Sequence, residues 1–135
     1  MAAELFIDTS FLIAAISSRD RNHQAAAELS GFLSDSGGLT TNHVLGETWT
    51  FARRRFGHGP ALKLVDAVQR GSRYRVVRVD RKQERSAWQW LRGRDEREYS
   101  FVDATSFAVM WQRGITEALA FDRDFEAAGF GTPRR

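Results

Sequence analysis

The sequence contains no cysteine, which excludes a disulfide framework and any thiolate-held metal, and leaves the compartment unreadable from redox chemistry. Lysine is almost missing too: Lys63 and Lys82 are the only two among 20 basic residues, and the others are arginine. No apolar run approaches the roughly 20 residues of a membrane-spanning helix. Glu4 precedes the first apolar stretch, where a signal peptide would carry basic residues. Neither membrane insertion nor export is expected, and a cytoplasmic location is the default. His23, His43 and His58 have no metal-ligand spacing and are assigned surface or capping roles. There is no internal repeat, linker or low-complexity segment.

What remains has the balance of an ordinary globular chain. At 135 residues, 42% hydrophobic and 27% charged, it is the size of a single domain spanning 1–135. The formal net charge is +3. Arginine holds phosphate through a planar fork of donors and stacks on bases, so its dominance permits a nucleic-acid partner. Solvated arginine faces account for the composition equally well.

Read in order, Leu5-Phe6-Ile7 is a short apolar strand ending at Asp8, and Ser10 or Thr9 caps the apolar helix that resumes at Phe11. An amphipathic helix is expected from Asp20 to Leu33, stopped by Gly37-Gly38. Leu39-Thr40-Thr41 is a second strand, and Asn42 caps a helix from His43 to about Phe56, in which Val44, Glu47, Thr48 and Phe51 share a stripe. Pro60 is expected at the first position of the next helix, Tyr74 to Val79 is a third strand, and Arg81 to Leu91 is helical. Ser100 and Asp103 have the spacing of a helix start, continued by Phe107 and Trp111. Thr116 to Phe121 is a fourth strand, and the last few residues are expected to fray. Strands alternating with helices imply an α/β fold: a three-layer α/β/α sandwich around a mainly parallel central sheet of four or five strands.

Four acids occupy comparable places. Asp8 and Asp122 follow strands, while Glu47 and Asp103 lie near the starts of helices. In a parallel sheet these points share the carboxyl edge, where ligands bind. Inward carboxylates without a cation are costly. Carboxylate and hydroxyl donors suit a hard divalent ion, Mg²⁺ or Mn²⁺, better than zinc or copper. Such an ion activates water and binds a phosphate oxygen, which phosphodiester hydrolysis requires. Taken singly, Asp8, Asp122 and Asp124 also read as turn residues, Asp103 as the acid of a capping box and Glu47 as an exposed helix acid.

The run Ile7-Asp8-Thr9-Ser10, the segment Thr41-Asn42 through Val44-Leu45-Gly46-Glu47, the segment Phe101-Val102-Asp103-Ala104 and the run Phe121-Asp122-Arg123-Asp124-Phe125 together resemble PIN-domain nucleases. Within that family the closest likeness is to VapC-type toxins of bacterial toxin-antitoxin pairs, and it covers nearly the whole chain. The resemblance implies a metal-dependent endoribonuclease cleaving structured RNA, tRNA or rRNA, with Asp8, Glu47, Asp103 and Asp122 as the metal-binding acids. It gives Ser10 and Asn42 supporting roles. Many relatives have histidine where this chain has Asp124, which makes Asp124 a spare ligand or a neutral substitution. It further implies a homodimer and inhibition by a small cognate VapB-type antitoxin.

Beside the resemblance, Arg53, Arg54, Arg81 and Lys82 are candidate RNA-phosphate contacts. Trp49, Trp88, Trp90 and Trp111 are assigned to core or protein interface rather than to base stacking. The competing readings are a PIN-like nuclease of RNA maturation or DNA flap processing and a nuclease-dead binding module. An aspartyl-phosphate enzyme fits poorly, because Ser10 stands where an Asp-x-Asp pair would place its second acid.

Overall fold

The computed structural model describes residues 3–134. Met1, Ala2 and Arg135, at the margins of the 1–135 domain and in the tail expected to fray, lie outside the described residues. Strand β1 (Leu5–Ile7) is followed by helices α1 (Thr9–Ile16), α2 (His23–Leu29) and α3 (Leu33–Ser36), then strand β2 (Gly38–Thr41). Helices α4 (Asn42–Phe56) and α5 (His58–Arg70) lead to strand β3 (Tyr74–Val77). Helices α6 (Arg81–Arg92) and α7 (Phe101–Arg113), strand β4 (Ala118–Leu119) and helix α8 (Asp124–Ala127) complete the chain.

Among the described residues the sheet has four strands in the order β3-β2-β1-β4, every pair parallel. The register sets Leu5 beside Gly38 and Phe6 beside Ala118. An isolated parallel bridge, Glu117 to Gly131, extends the β4 edge. Every residue of β1 and β2 is buried, as a parallel sheet covered on both faces requires. On one face Phe6 meets Phe125, whose ring lies 5.0 Å from Phe107 of α7. On the other, Ile7 and Leu33 close over Gly38. The chain runs from β1 outward to β3, then crosses back to β4 on the far side of β1. The gap between β1 and β4 is therefore the topological switch point, where a crevice opens at the carboxyl ends of the strands.

Several elements differ from the sequence expectation. The expected Asp20–Leu33 helix begins only at His23 and breaks at a 3₁₀ turn, Ser30–Phe32, where the Ser30 hydroxyl donates back to the Ala26 carbonyl at 2.8 Å. Thr41, not Asn42, caps α4, its hydroxyl accepting from Val44 N–H at 3.0 Å. Asp8 itself caps α1 in place of Thr9 or Ser10. Pro60 is the third residue of α5 rather than the first. Phe51 leaves the stripe it shares with Val44 and Thr48 and is exposed. The third and fourth strands are shorter than their apolar runs.

Gly38 has a packing reason to be glycine. A Cβ there would meet Leu33 and Tyr74 side-chain carbons at 3.0 Å and Ile7 at 3.1 Å. Two of those neighbours belong to the closed core, so they have little room to yield. Gly38→Ala is expected to destabilise the protein by about 1–3 kcal/mol, from overpacking. A denaturant midpoint equal to or above that of the wild type would contradict this reading of the β1–β2 contact.

Candidate active site at the β1–β4 crevice

Asp8 is held where β1 ends. Its backbone is extended, its side chain caps α1, and its Oδ2 accepts from Ser10 N–H at 3.2 Å and from the Ser10 hydroxyl at 2.7 Å. The Ser10 oxygen in turn accepts from Phe121 N–H at 2.9 Å. Ser10 thus ties the exit of β1 to the exit of β4, and its lone pair and proton both serve the scaffold. Asp103 lies in the first turn of α7 in a full capping box: Ser100 N–H donates to Asp103 Oδ2 at 3.0 Å, and Asp103 N–H donates to Ser100 Oγ at 2.9 Å. Asp122 follows β4 and is exposed, with its Oδ1 accepting from Asp124 N–H at 3.1 Å.

One carboxylate oxygen from each of Asp8, Asp103 and Asp122 lies within 4.8 Å of the others. Asp8 and Asp103 are buried. The ion pairs found among the described residues include none of these three acids. The electrostatic consequence is strong. Burial, followed by the negative charge of Asp122, raises the Asp8 carboxyl well above its ordinary value. Burial pushes Asp103 up to about 7, with Asp124 and Asp122 adding to the rise and the Ser100 N–H opposing it. Buried, like-charged carboxyls either take up protons or share a cation.

Glu47 stands on the wall of the same crevice, outside the cluster of three. It lines a cleft of about 330 Å³ with Asp8, Ser10, Asp20, Asn22 and Asp122. Its carboxyl is raised by burial and by Asp122, against a lowering contact from the Thr9 hydroxyl. Asn42 is placed elsewhere. Its Oδ1 accepts from Val79 N–H at 2.8 Å, so its described role is to tie the start of α4 to the chain after β3. Asp124 is paired: Arg97 reaches its Oδ1 through Nη2 at 2.8 Å and Nε at 3.1 Å.

The candidate phosphate contacts also fall differently from expectation. Arg53 and Arg54 are exposed on the last turn of α4, and Arg81 and Lys82 on the first turn of α6. None of the four lines the crevice. Its basic rim is Arg19, Arg21 and Arg55, which share an adjoining cleft of about 420 Å³ with Asp122. Arg55 reaches Asp20 at 3.8 Å, across from the α1–α2 loop. Sequence reasoning missed Asp20 and Asn22 as lining residues. Their local signal is an Asx turn, Asn22 N–H to Asp20 Oδ1 at 2.8 Å, which reads as ordinary loop chemistry.

The donor set fits a hard divalent cation. It consists of carboxylate oxygens, two of the three carboxyls are buried without a cationic side chain, and their spacing lets oxygens from three elements meet one ion. Among the described residues no helix is long and apolar enough to cross a membrane.

A model of the PIN domain family matches residues 5–131. The chain is 49% identical over 126 residues to the 23S rRNA-specific endonuclease VapC20 of Mycobacterium tuberculosis, in both strain CDC 1551 / Oshkosh and strain ATCC 25618 / H37Rv. The alignment spans 93% of this chain and 95% of that protein. A crystal structure of M. tuberculosis VapC20, described as a sarcin-ricin loop cleaving toxin, superposes with a TM-score of 0.89 at 48% identity, covering 97% of this chain and 99% of that one.

Proposed function

From the premise that the chain belongs to the PIN domain family, we propose that it is a metal-dependent endoribonuclease toxin of the VapC kind, acting on 23S ribosomal RNA at the sarcin-ricin loop. The carrying observation is the meeting of Asp8, Asp103 and Asp122 oxygens within 4.8 Å at the switch point of the sheet. Asp8, Asp103 and Asp122 would hold Mg²⁺ or Mn²⁺, with Glu47 on the wall of the same cleft. When bound, the ion would supply an activated water and charge neutralisation at the scissile phosphate.

The residues around it position and exclude. Ser10 fixes Asp8, Asp124 N–H fixes Asp122, and the capping box fixes Asp103, so the acids are held before substrate arrives. Glu47, its carboxyl raised by burial, adds a fourth acid to the cleft. Arg19, Arg21 and Arg55 on the rim receive phosphates that the acids alone would repel. Kinship with VapC20 supports the remaining parts of the reading: one domain over 1–135, a homodimer, neutralisation by a VapB-type antitoxin, and a place in the cytoplasm with its ribosomal substrate.

The test is incubation of purified, antitoxin-free protein with intact ribosomes in Mg²⁺ or Mn²⁺, mapping new RNA ends by primer extension. One new end in the 23S sarcin-ricin loop, lost in EDTA, is the expected result. Cuts confined to tRNA would overturn the substrate but keep the nuclease. No cut with either ion would overturn the activity.

A further inference from the structure

Helix α6 presents an exposed stripe that the acid crevice does not use. Arg85, Trp88, Gln89 and Arg92 line one open surface, at helical spacings of three, four and seven residues. Trp88 is 51% exposed, although a tryptophan normally hides most of its large apolar area. Its inner side is covered: the Phe101 ring lies 4.5 Å from the indole, centroid to centroid, tilted by 30°. Phe101 is braced in turn by the His43 ring at 5.8 Å. The indole is therefore held in place with much of its surface in solvent.

The surrounding charge is mainly basic, with Glu84 the acid of the same helix. Arg81, Lys82, Arg85 and Arg92 are exposed, and none is among the ion pairs of the described residues. Arg85 and Arg92 lie about 5 Å before and about 6 Å after Trp88 along the helix axis. A flat aromatic surface between two unneutralised guanidinium groups matches a base flanked by its phosphates. An apolar protein partner would leave those cations desolvated and unpaired. The platform is also near the chemistry in sequence, since Phe101 opens α7 two residues before Asp103.

We propose that Trp88, backed by Phe101 and flanked by Arg85 and Arg92, is a stacking platform for an unpaired base of the RNA substrate. This rests on the ribonuclease reading above and adds a second contact to it, outside the acid crevice. It also assigns Trp88 differently from the core or interface role expected from sequence.

The experiment measures binding of a fluorescein-labelled single-stranded RNA oligonucleotide by anisotropy in EDTA, beside cleavage of ribosomal RNA in Mn²⁺. Trp88→Ala is expected to weaken binding about tenfold, while Trp88→Tyr, which keeps a stacking face, stays near wild type. Arg85→Gln combined with Arg92→Gln is expected to reduce the slope of log affinity against log salt by about 1.4. If wild type cleaves and Trp88→Ala binds as tightly as wild type, the platform is wrong and the nuclease stands. If wild type neither binds nor cleaves, the nuclease reading fails and takes the platform with it. If Trp88→Ala converts a dimer to a monomer in sedimentation with the oligonucleotide affinity unchanged, the face belongs to a second copy of the chain and the inference is overturned.

Discussion

Asp8→Asn is expected to lower RNA cleavage at least about a hundredfold while leaving the protein as stable as wild type or more so. The activity figure follows from the ion's need for charged oxygen donors: losing a partner that merely orients a ligand already costs about 10–100-fold, and Asp8 is a proposed ligand itself. The stability expectation has a separate cause. Asp8 is 3% exposed, and its carboxyl is raised by burial and by Asp122, so the ionised form strains the metal-free fold. Asparagine has the same shape, and its Oδ1 still accepts from Ser10 N–H and hydroxyl. Cleavage of labelled RNA in Mn²⁺ and thermal unfolding in EDTA check the two halves. A variant cutting at the wild-type rate would remove Asp8 from the chemistry. A variant that loses both cleavage and fold would make Asp8 a structural residue only.

The second large effect is a dependence of stability on pH that a divalent ion reverses. Asp103 rises from an ordinary 3.8 to about 7 in the folded protein. Between those values the folded state binds more protons than the unfolded one, so stability falls as pH rises through that window. Taken alone, Asp103 would cost the metal-free protein roughly 3 kcal/mol between pH 4 and 7, and Asp8 acts in the same direction. A cation binds the ionised carboxylates and displaces their protons, so it stabilises most where protons are scarce. The midpoint of unfolding in EDTA should therefore drop between pH 5 and 8, and Mn²⁺ should raise it far more at pH 8 than at pH 5. Cleavage should climb with pH as the acids lose their protons to the ion. A Mn²⁺ effect of equal size at both pH values would separate the acids from the ion.

The sequence made the skeleton of the site readable because its determinants are local. Leu5-Phe6-Ile7 followed by Asp8 is a buried strand and its terminus, and Ser100 with Asp103 forms the capping box its spacing announces. The limits appear wherever a distant partner decides. Thr41 and Asn42 are both good caps, and the choice falls to Thr41 while Asn42 takes a backbone N–H 37 residues away at Val79. Asp124 looks free in the chain, yet it is claimed by Arg97, 27 positions earlier. Arg55 lines the cleft adjoining the crevice, whereas Arg53 and Arg54, its neighbours in sequence, line neither. A helix separates adjacent residues by about 100°, and only the packed neighbours fix which of them faces the site. Phe51 shows the same limit, since periodicity groups it with the core while α4 turns it outward.

The bond from Phe121 N–H to Ser10 Oγ joins positions 111 residues apart, and this has a consequence for synthesis. Chains emerge from the amino end, so Asp8 is made 114 residues before Asp122. A fragment released before Ala118 carries Asp8 and even Asp103, but neither the third acid nor the strand that holds it against β1. Such truncated products are thus expected to be inert. For a chain whose proposed target is the ribosome that makes it, the proposed site is incomplete until Asp122 has been synthesised.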